Sequence, residues 1–341
     1  MLQLKFDINK CRECETQDCL VNCQYLHLDR DTAKAEILKI FDGGDSFVLD
    51  KCVTCYACEE YCKMGNHPFY LIVERQEEKG MLTAPRAITN QWVNMCEPVG
   101  RFKVGKVKEQ ALSFCYIPAL RNLARGKLFE DIASSYFVGQ EFFCNVVYLH
   151  FAKMSVIKER LPKIVENIAK LGVKEVIFLH DECYGSFKSL APAYGIEVPF
   201  KATHYLEYLY NKLKEYKDDI KPLNVKVAYE RNCSSKLTPW KEHFVDDIFE
   251  LIGADRVKRE YDRENALCCG EVIRMVKGRE GYDIANDVQK RNIDDMVNAG
   301  VEYCVFNCPA CWDALAEKVT KRGLKPIHMI NLCRLAIGEK P

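Results

Sequence analysis

The sequence is 341 residues long, 48% hydrophobic and 29% charged, with 49 basic and 49 acidic side chains. This composition is typical of a globular protein of two or three domains, and a net charge of zero gives no electrostatic basis for binding nucleic acid. No apolar run reaches the roughly 18 residues that a transmembrane helix needs, and the N-terminus lacks the apolar stretch of a signal peptide. We therefore expect a cytoplasmic protein without a transmembrane segment.

Nineteen cysteines are the most unusual feature of the composition. Disulfides on this scale belong to exported proteins, and no export signal is recognisable, so we expect the thiols to be metal ligands or redox groups. Eight of them fall in the first 62 residues, in two runs spaced C-x2-C-x4-C-x3-C and C-x2-C-x2-C-x3-C. Residues 1–80 carry 10 basic and 15 acidic side chains, which sets an acidic, cysteine-rich N-terminal module apart.

The two runs predict two [4Fe-4S] cubanes that pass electrons. Each cubane needs four thiolates, and in chains with two such runs the fourth cysteine of each run ligates the other cluster. The predicted ligands are Cys11, Cys14, Cys19 and Cys62 for one cluster, and Cys52, Cys55, Cys58 and Cys23 for the other. The alternative is a pair of zinc sites, but zinc usually takes two cysteine pairs, and two runs of four exceed that pattern.

From about Gly105 the pattern changes to apolar runs of strand length that alternate with helical periodicity, which predicts an α/β architecture. The predicted strands are residues 112–117, 142–150, 173–180, 225–230 and 302–307. The predicted helices are residues 156–172, 205–216, 239–253, 271–300 and 309–323, each ending at or near a residue suited to a C-cap.

This part of the chain contains an internal repeat. Residues 172–183 align with residues 300–311 at a constant offset, which pairs His180 with Cys308 and Cys183 with Cys311. Two copies of one α/β unit are therefore predicted, with a boundary near residues 221 and 222. The expected domains are residues 1–100, 101–221 and 222–341.

The second copy holds five cysteines at predicted strand ends, where α/β folds place ligands. Cys233 is followed after 34 residues by Cys268 and Cys269, and after 38 more by Cys308 and Cys311. This order, with Gly270 after the adjacent pair, resembles the cysteine-rich CCG domain of heterodisulfide reductase B and D subunits. The iron–sulfur subunits of glycolate oxidase and anaerobic glycerol-3-phosphate dehydrogenase share that domain. The whole layout, a two-cluster module before two CCG repeats, resembles the same family.

The resemblance implies an α+β ferredoxin-like or helical 2x[4Fe-4S] module followed by two α/β CCG repeats with mostly parallel sheets. It also implies a noncubane [4Fe-4S] cluster at which a disulfide is cleaved one electron at a time, with Cys233, Cys268, Cys269, Cys308 and Cys311 as the catalytic ligands. The alternative is zinc, or reduced thiols without metal. Adjacent cysteines favour the cluster, because both cannot reach one zinc ion without strain while they can bind separate irons.

The first copy is incomplete. Its counterparts of the five cysteines are Cys115, Cys144, His180 and Cys183, with Phe143 where a second paired cysteine is expected. Three cysteines and a histidine are a usual tetrahedral zinc set, so a zinc or other metal site is one interpretation. The other is that the metal was lost and that these residues are buried thiols and an ordinary polar histidine.

These features together predict an oxidoreductase subunit of a heterodisulfide reductase-like complex in an anaerobic organism. Electrons would enter from a flavoprotein or cytochrome subunit, pass the two cubanes and reduce a disulfide or a partner at the CCG site. The alternative is an electron-relay subunit of a glycolate- or glycerol-3-phosphate-type dehydrogenase complex, with membrane association only through a partner. A scaffold with zinc in the repeats is a third hypothesis.

Overall fold

The computed structural model describes residues 6–95, 97 and 100–340. Residues 6–95 form helices and, within this described range, no strand. The helices are Ile8–Glu13 (α1), Asp18–Val21 (α2), Arg30–Phe41 (α3), Phe47–Lys51 (α4), Ala57–Tyr61 (α5), Pro68–Glu78 (α6) and Arg86–Met95 (α7). Side-chain oxygens of Asp7, Asp29 and Ser46 accept hydrogen bonds from the first turns of α1, α3 and α4, which satisfies donors that a helix start leaves free.

A five-stranded sheet follows. Its strands are Phe102–Val104 (β1), Gln110–Ser113 (β2), Tyr136–Gly139 (β3), Glu175–Phe178 (β4) and Lys201–His204 (β5), in the order β1-β3-β2-β4-β5. Strands β2 to β5 are parallel, and β1 adds an antiparallel edge. The α-helices of this part are Met154–Ala169 (α8), Asp181–Gly185 (α9), Ala191–Ala193 (α10) and Tyr205–Glu215 (α11).

The second sheet has four parallel strands. They are Val225–Glu230 (β6), Ala254–Arg256 (β7), Tyr303–Phe306 (β8) and Lys325–His328 (β9), in the order β7-β6-β8-β9. The helices are His243–Ile252 (α12), Glu271–Val276 (α13), Gly278–Asn298 (α14), Pro309–Lys321 (α15) and Met329–Ala336 (α16). Both sheets therefore belong to α/β arrangements of mostly parallel strands, as the sequence predicts for this half of the chain.

Four strands of each sheet follow the same order and direction. Phe178 in β4 pairs with Ser113 and His204, and Phe306 in β8 pairs in the same way with Glu230 and His328. In the first sheet the chain continues from β2 to β3 on one side and places β4 and β5 on the other, so the strand order reverses between β2 and β4. In the second sheet it reverses in the same way between β6 and β8. Open α/β sheets bind ligands at this point, beyond the carboxyl ends of the strands.

The predicted helices are confirmed in position, except that residues 271–300 form two helices, α13 and α14, instead of one. The predicted strand at residues 142–150 is wrong. That segment contains two short 3₁₀ helices, Gln140–Phe142 and Val146–Leu149, and the strand lies earlier, at β3. A continuous apolar run is compatible with any buried conformation, and Asn145 turns the backbone into the left-handed region with φ 63°. The short strands β1, β5, β7 and β9 have no alternation that the sequence analysis recognised.

Buried apolar clusters join the parts of the molecule. Phe69 and Tyr70 of α6 pack in one cluster with Phe137 and Phe178 of the first sheet. A second cluster lies between the two sheets and includes Ile177 and Val305. In the described ranges no helix is long and apolar enough to cross a membrane.

Candidate metal centres

The four cysteines predicted for the first cubane come together in the helical part. Cys11 lies in α1, Cys14 ends that helix, Cys19 lies in α2, and Cys62 ends α5. Burial raises the pKa of the Cys19 thiol well above its ordinary value, and the nearby sulfurs of Cys62, Cys11 and Cys14 raise it further. The fourth cysteine of the second run thus lies beside the first three of the first run.

Hydrogen-bond donors point at these sulfurs. The backbone N–H of Gln17 donates to Cys14 Sγ at 3.4 Å, and that of Asn66 donates to Cys62 Sγ at 3.4 Å. The Asn66 amide Nδ2 lies 3.4 Å from Cys11 Sγ as a second donor. Burial raises the pKa of Cys11 to about 11, against the effect of the Asn66 hydrogen bond. Donors of this kind stabilise thiolates, which are the form of cysteine that binds metal.

The four cysteines predicted for the second cubane line one cavity. Its wall contains Cys23, Cys52, Cys55 and Cys58, with Cys19 of the first set at its border. Burial raises the pKa of Cys23 to about 12, with further contributions from the sulfurs of Cys55 and Cys52. The remaining wall is apolar, so the two sets of thiols are adjacent and largely shielded from water.

The loop that carries the second run has an unusual backbone. Thr54 and Tyr56 both adopt left-handed conformations, with φ of 60° and 62°. Thr54 donates its backbone N–H to Cys52 Sγ at 3.4 Å. Both side chains also bind His150, with Thr54 Oγ1 at 2.8 Å from Nδ1 and Tyr56 OH at 3.0 Å from Nε2. His150 therefore holds the cysteine loop against the first sheet.

The five cysteines predicted in the second α/β unit also converge. Cys233 follows β6, Cys268 and Cys269 precede α13, and Cys308 and Cys311 lie at the start of α15 after β8. The thiols form a chain of hydrogen bonds in the order Cys233, Cys268, Cys269, Cys311 and Cys308. Since β6 and β8 are the central strands, the set lies at the point where the strand order reverses.

Hydrogen bonds within this group shift the pKa values of its thiols in opposite directions. Hydrogen bonds from the Cys233 and Cys269 thiols hold the pKa of Cys268 well below its ordinary value, and the Cys311 thiol does the same for Cys308. The Gly270 N–H donates to Cys268 Sγ at 3.4 Å. Buried thiolates with sulfur neighbours and a backbone donor suit soft metals, either iron in an iron–sulfur cluster or zinc.

A third group of thiols lies in the first α/β unit. The sulfurs of Cys115, Cys144 and Cys183 lie within 4.8 Å of one another and are buried. Cys115 follows β2 in a left-handed conformation, with φ 54°. The three cysteines of the predicted zinc set are therefore close enough to hold one metal ion.

His180, the fourth residue of that predicted set, lies between two groups of thiols. Its Nε2 is 3.8 Å from Cys308 Sγ in the second unit, and it also hydrogen-bonds to Cys183. Burial opposes its positive charge, yet the hydrogen bonds with Cys183 and Cys308 raise the pKa of His180 well above its ordinary value. The imidazole thus connects the two units instead of closing the three-cysteine group alone.

A buried network of charges joins all three parts of the molecule. Arg231, after β6, binds Glu60 of α5 with its guanidinium at 2.8 Å and Glu242 at 3.2 Å. Lys241 lies 2.5 Å from both Glu242 and Asp181, the first residue of α9. Sequence reasoning missed this network and the His150 contacts, because each joins residues far apart in the chain and none belongs to a local motif.

Residues 227–316 match the family model of the cysteine-rich CCG domain. All five thiols of the second unit lie inside that match, so the chain contains a CCG domain with its cysteines gathered at one sheet edge. The CCG domain and the nineteen cysteines together indicate iron–sulfur binding and electron transfer. Among solved structures, an aspartate racemase from Picrophilus torridus is similar at 11% identity over 68% of this chain and 94% of that chain, with a TM-score of 0.33. That similarity is too low to bear on fold or function.

Proposed function

We propose that this protein is an iron–sulfur electron-transfer subunit of a heterodisulfide reductase-like complex. The observation that carries the proposal is the grouping of thirteen cysteines into three separate sets, two of which exchange their fourth member between the two N-terminal runs. The eighteen cysteines in the described part of the chain are all free of disulfides, so these sulfurs are available as ligands. In this proposal residues 1–100 form the two-cluster module, and residues 101–221 and 222–341 form two CCG units.

The residues fit the groups that they would hold. Cys11, Cys14, Cys19 and Cys62 would bind one cubane, and Cys23, Cys52, Cys55 and Cys58 the other. When bound, the clusters would supply one-electron transfer. The protein supplies the backbone donors, including the N–H groups of Gln17, Thr54 and Asn66, and an apolar surround that excludes water. The five thiols of the CCG domain would hold the noncubane cluster.

The proposed reaction at the CCG domain is the reduction of a disulfide. One S–S bond breaks, two electrons and two protons are consumed, and two thiols form. A flavoprotein or cytochrome subunit would supply the electrons. Cys115, Cys144 and Cys183 would hold a zinc ion or another metal that stabilises the first unit.

The burial of the CCG thiols favours a second candidate function. Cys268 and Cys269 are 4% exposed, and Cys308 is 6% exposed. A centre this enclosed can pass electrons to a neighbouring subunit without admitting a disulfide. The second candidate is therefore an electron-relay subunit of a glycolate- or glycerol-3-phosphate-type dehydrogenase complex.

Metal analysis of the anaerobically purified full chain tests the proposal. Three four-iron centres correspond to about twelve irons and an equal amount of acid-labile sulfide per chain. About eight irons would mean that the CCG thiols hold no cluster, and a preparation without iron would overturn the whole proposal. Cys269→Ala is expected to remove one centre, whereas Cys333→Ala, a buried cysteine in α16 outside the three sets, keeps the full iron content.

Electron paramagnetic resonance then separates the two candidate functions. In a reductase, adding a disulfide to the dithionite-reduced protein oxidises the centres and releases thiol in proportion to the electrons consumed. In a relay subunit the reduced signals persist in the presence of disulfides and disappear only with a partner protein or a quinone analogue as acceptor.

A further inference from the structure

Lys236 is a buried lysine between two of the three thiol sets. It lies in the 3₁₀ helix Cys233–Leu237, and only 3% of its surface is exposed. Its ammonium donates to the carbonyl of Ala266 at 2.9 Å. Ala266 lies two residues before Cys268, so this hydrogen bond ties the helix that begins with Cys233 to the loop that carries the cysteine pair.

Among the residues that the structure describes, no carboxylate forms an ion pair with Lys236. The charge of Glu60 raises the pKa of Lys236, but both Glu60 oxygens accept hydrogen bonds from Arg231, at 2.8 and 3.0 Å. The ring of Tyr61 lies 5.9 Å from the ammonium. A buried charge without a compensating partner is strongly unfavourable, so a nearby anion is needed to explain this lysine.

Negative charge around Lys236 comes from the sulfurs of Cys55 and Cys233 and from the Glu60 carboxylate. Burial and the neighbouring Arg231 lower the pKa of the ammonium, and Cys55, Glu60 and Cys233 oppose that effect in decreasing order. In return, Lys236 partly offsets the rise that burial causes in the pKa of Cys55. Cys55 belongs to the second cubane set and Cys233 to the CCG set. The ammonium lies between the two sets, because it donates to the Ala266 carbonyl before the cysteine pair and lies 5.9 Å from the ring of Tyr61 in α5, the helix that begins just after Cys55.

We infer that Lys236 is a shared counter-ion of the second cubane and of the CCG centre, and that its charge raises the reduction potentials of both. The inference rests on the proposed function, since it requires that both thiol sets hold iron–sulfur clusters. Each electron that a cluster gains adds negative charge, and a nearby ammonium in a poorly solvated site stabilises the reduced state. Lys236 acts through the clusters as a positioning residue and contacts no substrate.

Lys277 is the other lysine close to the second cubane set, and it differs from Lys236. Its charge interacts with Cys52, but its ammonium donates to the backbone carbonyl of Asp50 and lies at a more open position beside Glu280. Among the described lysines, the charge of Lys277 interacts with Cys52 and not with the CCG thiols. The charge of Lys236 interacts with a cysteine of each set.

The test is a redox titration followed by electron paramagnetic resonance on the anaerobically purified full chain. Lys236→Met removes the charge, and at the wild-type midpoint potential we expect the ratio of reduced to oxidised cluster to fall about tenfold for both centres, or about 59 mV for a one-electron couple. Lys236→Arg keeps the charge and is expected to keep both potentials. Lys188→Met is the control, since it removes a lysine charge at an exposed position, where water and salt screen its effect on the clusters.

The outcomes separate this inference from the proposed function. If the wild-type protein contains no clusters, both are overturned. If it contains them and the potentials in Lys236→Met equal those of the wild type, the inference alone is wrong.

Loss of a cluster in the methionine variant calls for Lys236→Gln, which keeps a donor for the Ala266 carbonyl. Loss in both neutral variants but not in Lys236→Arg supports the counter-ion role. Loss in the arginine variant as well would mean that the site needs the shape of lysine and not its charge, which overturns the inference.

Discussion

At the scale of single residues, Gly270 shows how the backbone supports the sulfur of a predicted ligand. It has φ +87°, a conformation that side chains with a Cβ rarely adopt, and its N–H donates to Cys268 Sγ. A Cβ at this position would lie 3.0 Å from the Cβ of Ala285 and 3.1 Å from the amide nitrogen of Gln289. The glycine of the CCG motif is therefore required both for the turn and for the close approach of α14.

We predict that Gly270→Ala lowers the free energy of unfolding by roughly 2–3 kcal/mol, since it adds a steric clash to the strain of a left-handed alanine. The control is Gly323→Ala, because Gly323 has φ +84° with nothing within 4 Å of an added Cβ, and its expected cost is about 1 kcal/mol. Anaerobic urea unfolding of both variants measures the difference. Equal decreases in the free energy of unfolding would show that the contact with α14 does not contribute to the cost of Gly270→Ala.

At the scale of elements, short helices determine where the cysteines lie. Helix α4 has only five residues, and it ends at Cys52, a predicted ligand. Ser46 begins this helix: its hydroxyl accepts from the N–H of Val48 at 3.2 Å and donates to Glu36 of α3 at 2.5 Å. Since helices of this length are unstable in isolation, the cap and the contact with α3 set the position of Cys52.

We predict that Ser46→Ala reduces the stability of the protein by about 1–2 kcal/mol, because it removes the cap and leaves Glu36 without its hydroxyl donor. Ser46→Thr keeps a hydroxyl at the helix start and is expected to retain most of the stability. Thermal unfolding followed by circular dichroism under anaerobic conditions compares the variants. A threonine variant as unstable as the alanine variant would contradict the capping argument.

The sequence predicted elements well where amphipathic periodicity was strong and poorly where it was absent. Helices α8, α11 and α15 lie where the apolar spacing places them. The run at residues 142–150 is apolar on all sides, so no periodicity distinguishes a strand from a 3₁₀ turn. The four short strands that were missed are stabilised by their neighbours in the sheets and not by their own sequences.

At the scale of the whole molecule, the buried ionic network joins the helical part to both sheets. Asp181 is fully buried, and although burial favours its neutral form, Lys241 and His204 hold the pKa of Asp181 well below its ordinary value of 3.8. Asn307 of the second unit also donates to this carboxylate at 3.0 Å. The carboxylate therefore stabilises the contact between the two sheets as long as it is ionised.

We predict that Asp181→Asn and Lys241→Met each lower the free energy of unfolding by about 3 kcal/mol at pH 7, the lower end for breaking a buried ion pair, since Glu242 stays beside Lys241 and His204 stays beside Asp181. The double variant is expected to lose less free energy of unfolding than the two single variants together, with a difference of at least about 0.5 kcal/mol. Additive losses in urea unfolding would contradict a direct interaction between the two side chains.

The same pair gives a pH dependence with a defined sign. A carboxyl group whose pKa is lower in the folded state stabilises the fold above its ordinary pKa of 3.8, and this contribution declines as the pH falls below that value. Thermal unfolding between pH 7 and pH 3 is expected to show a steeper acid loss in the wild type than in the double variant. If the wild type and the double variant lose stability equally as the pH falls, Asp181 does not cause the acid sensitivity.

The sequence by itself predicted which cysteines group together, because cysteine spacing is a local property and each loop can wrap a metal site only if its thiols are a few residues apart. It also determined the α/β nature of residues 101–341 through periodicity. Only the tertiary structure decided that His150 holds the cysteine loop, that His180 lies between two thiol groups, and that the Lys236 ammonium lies near Tyr61 of the helical part. Those contacts join residues that are distant in the chain, and packing of the helical part against two sheets is what brings them together.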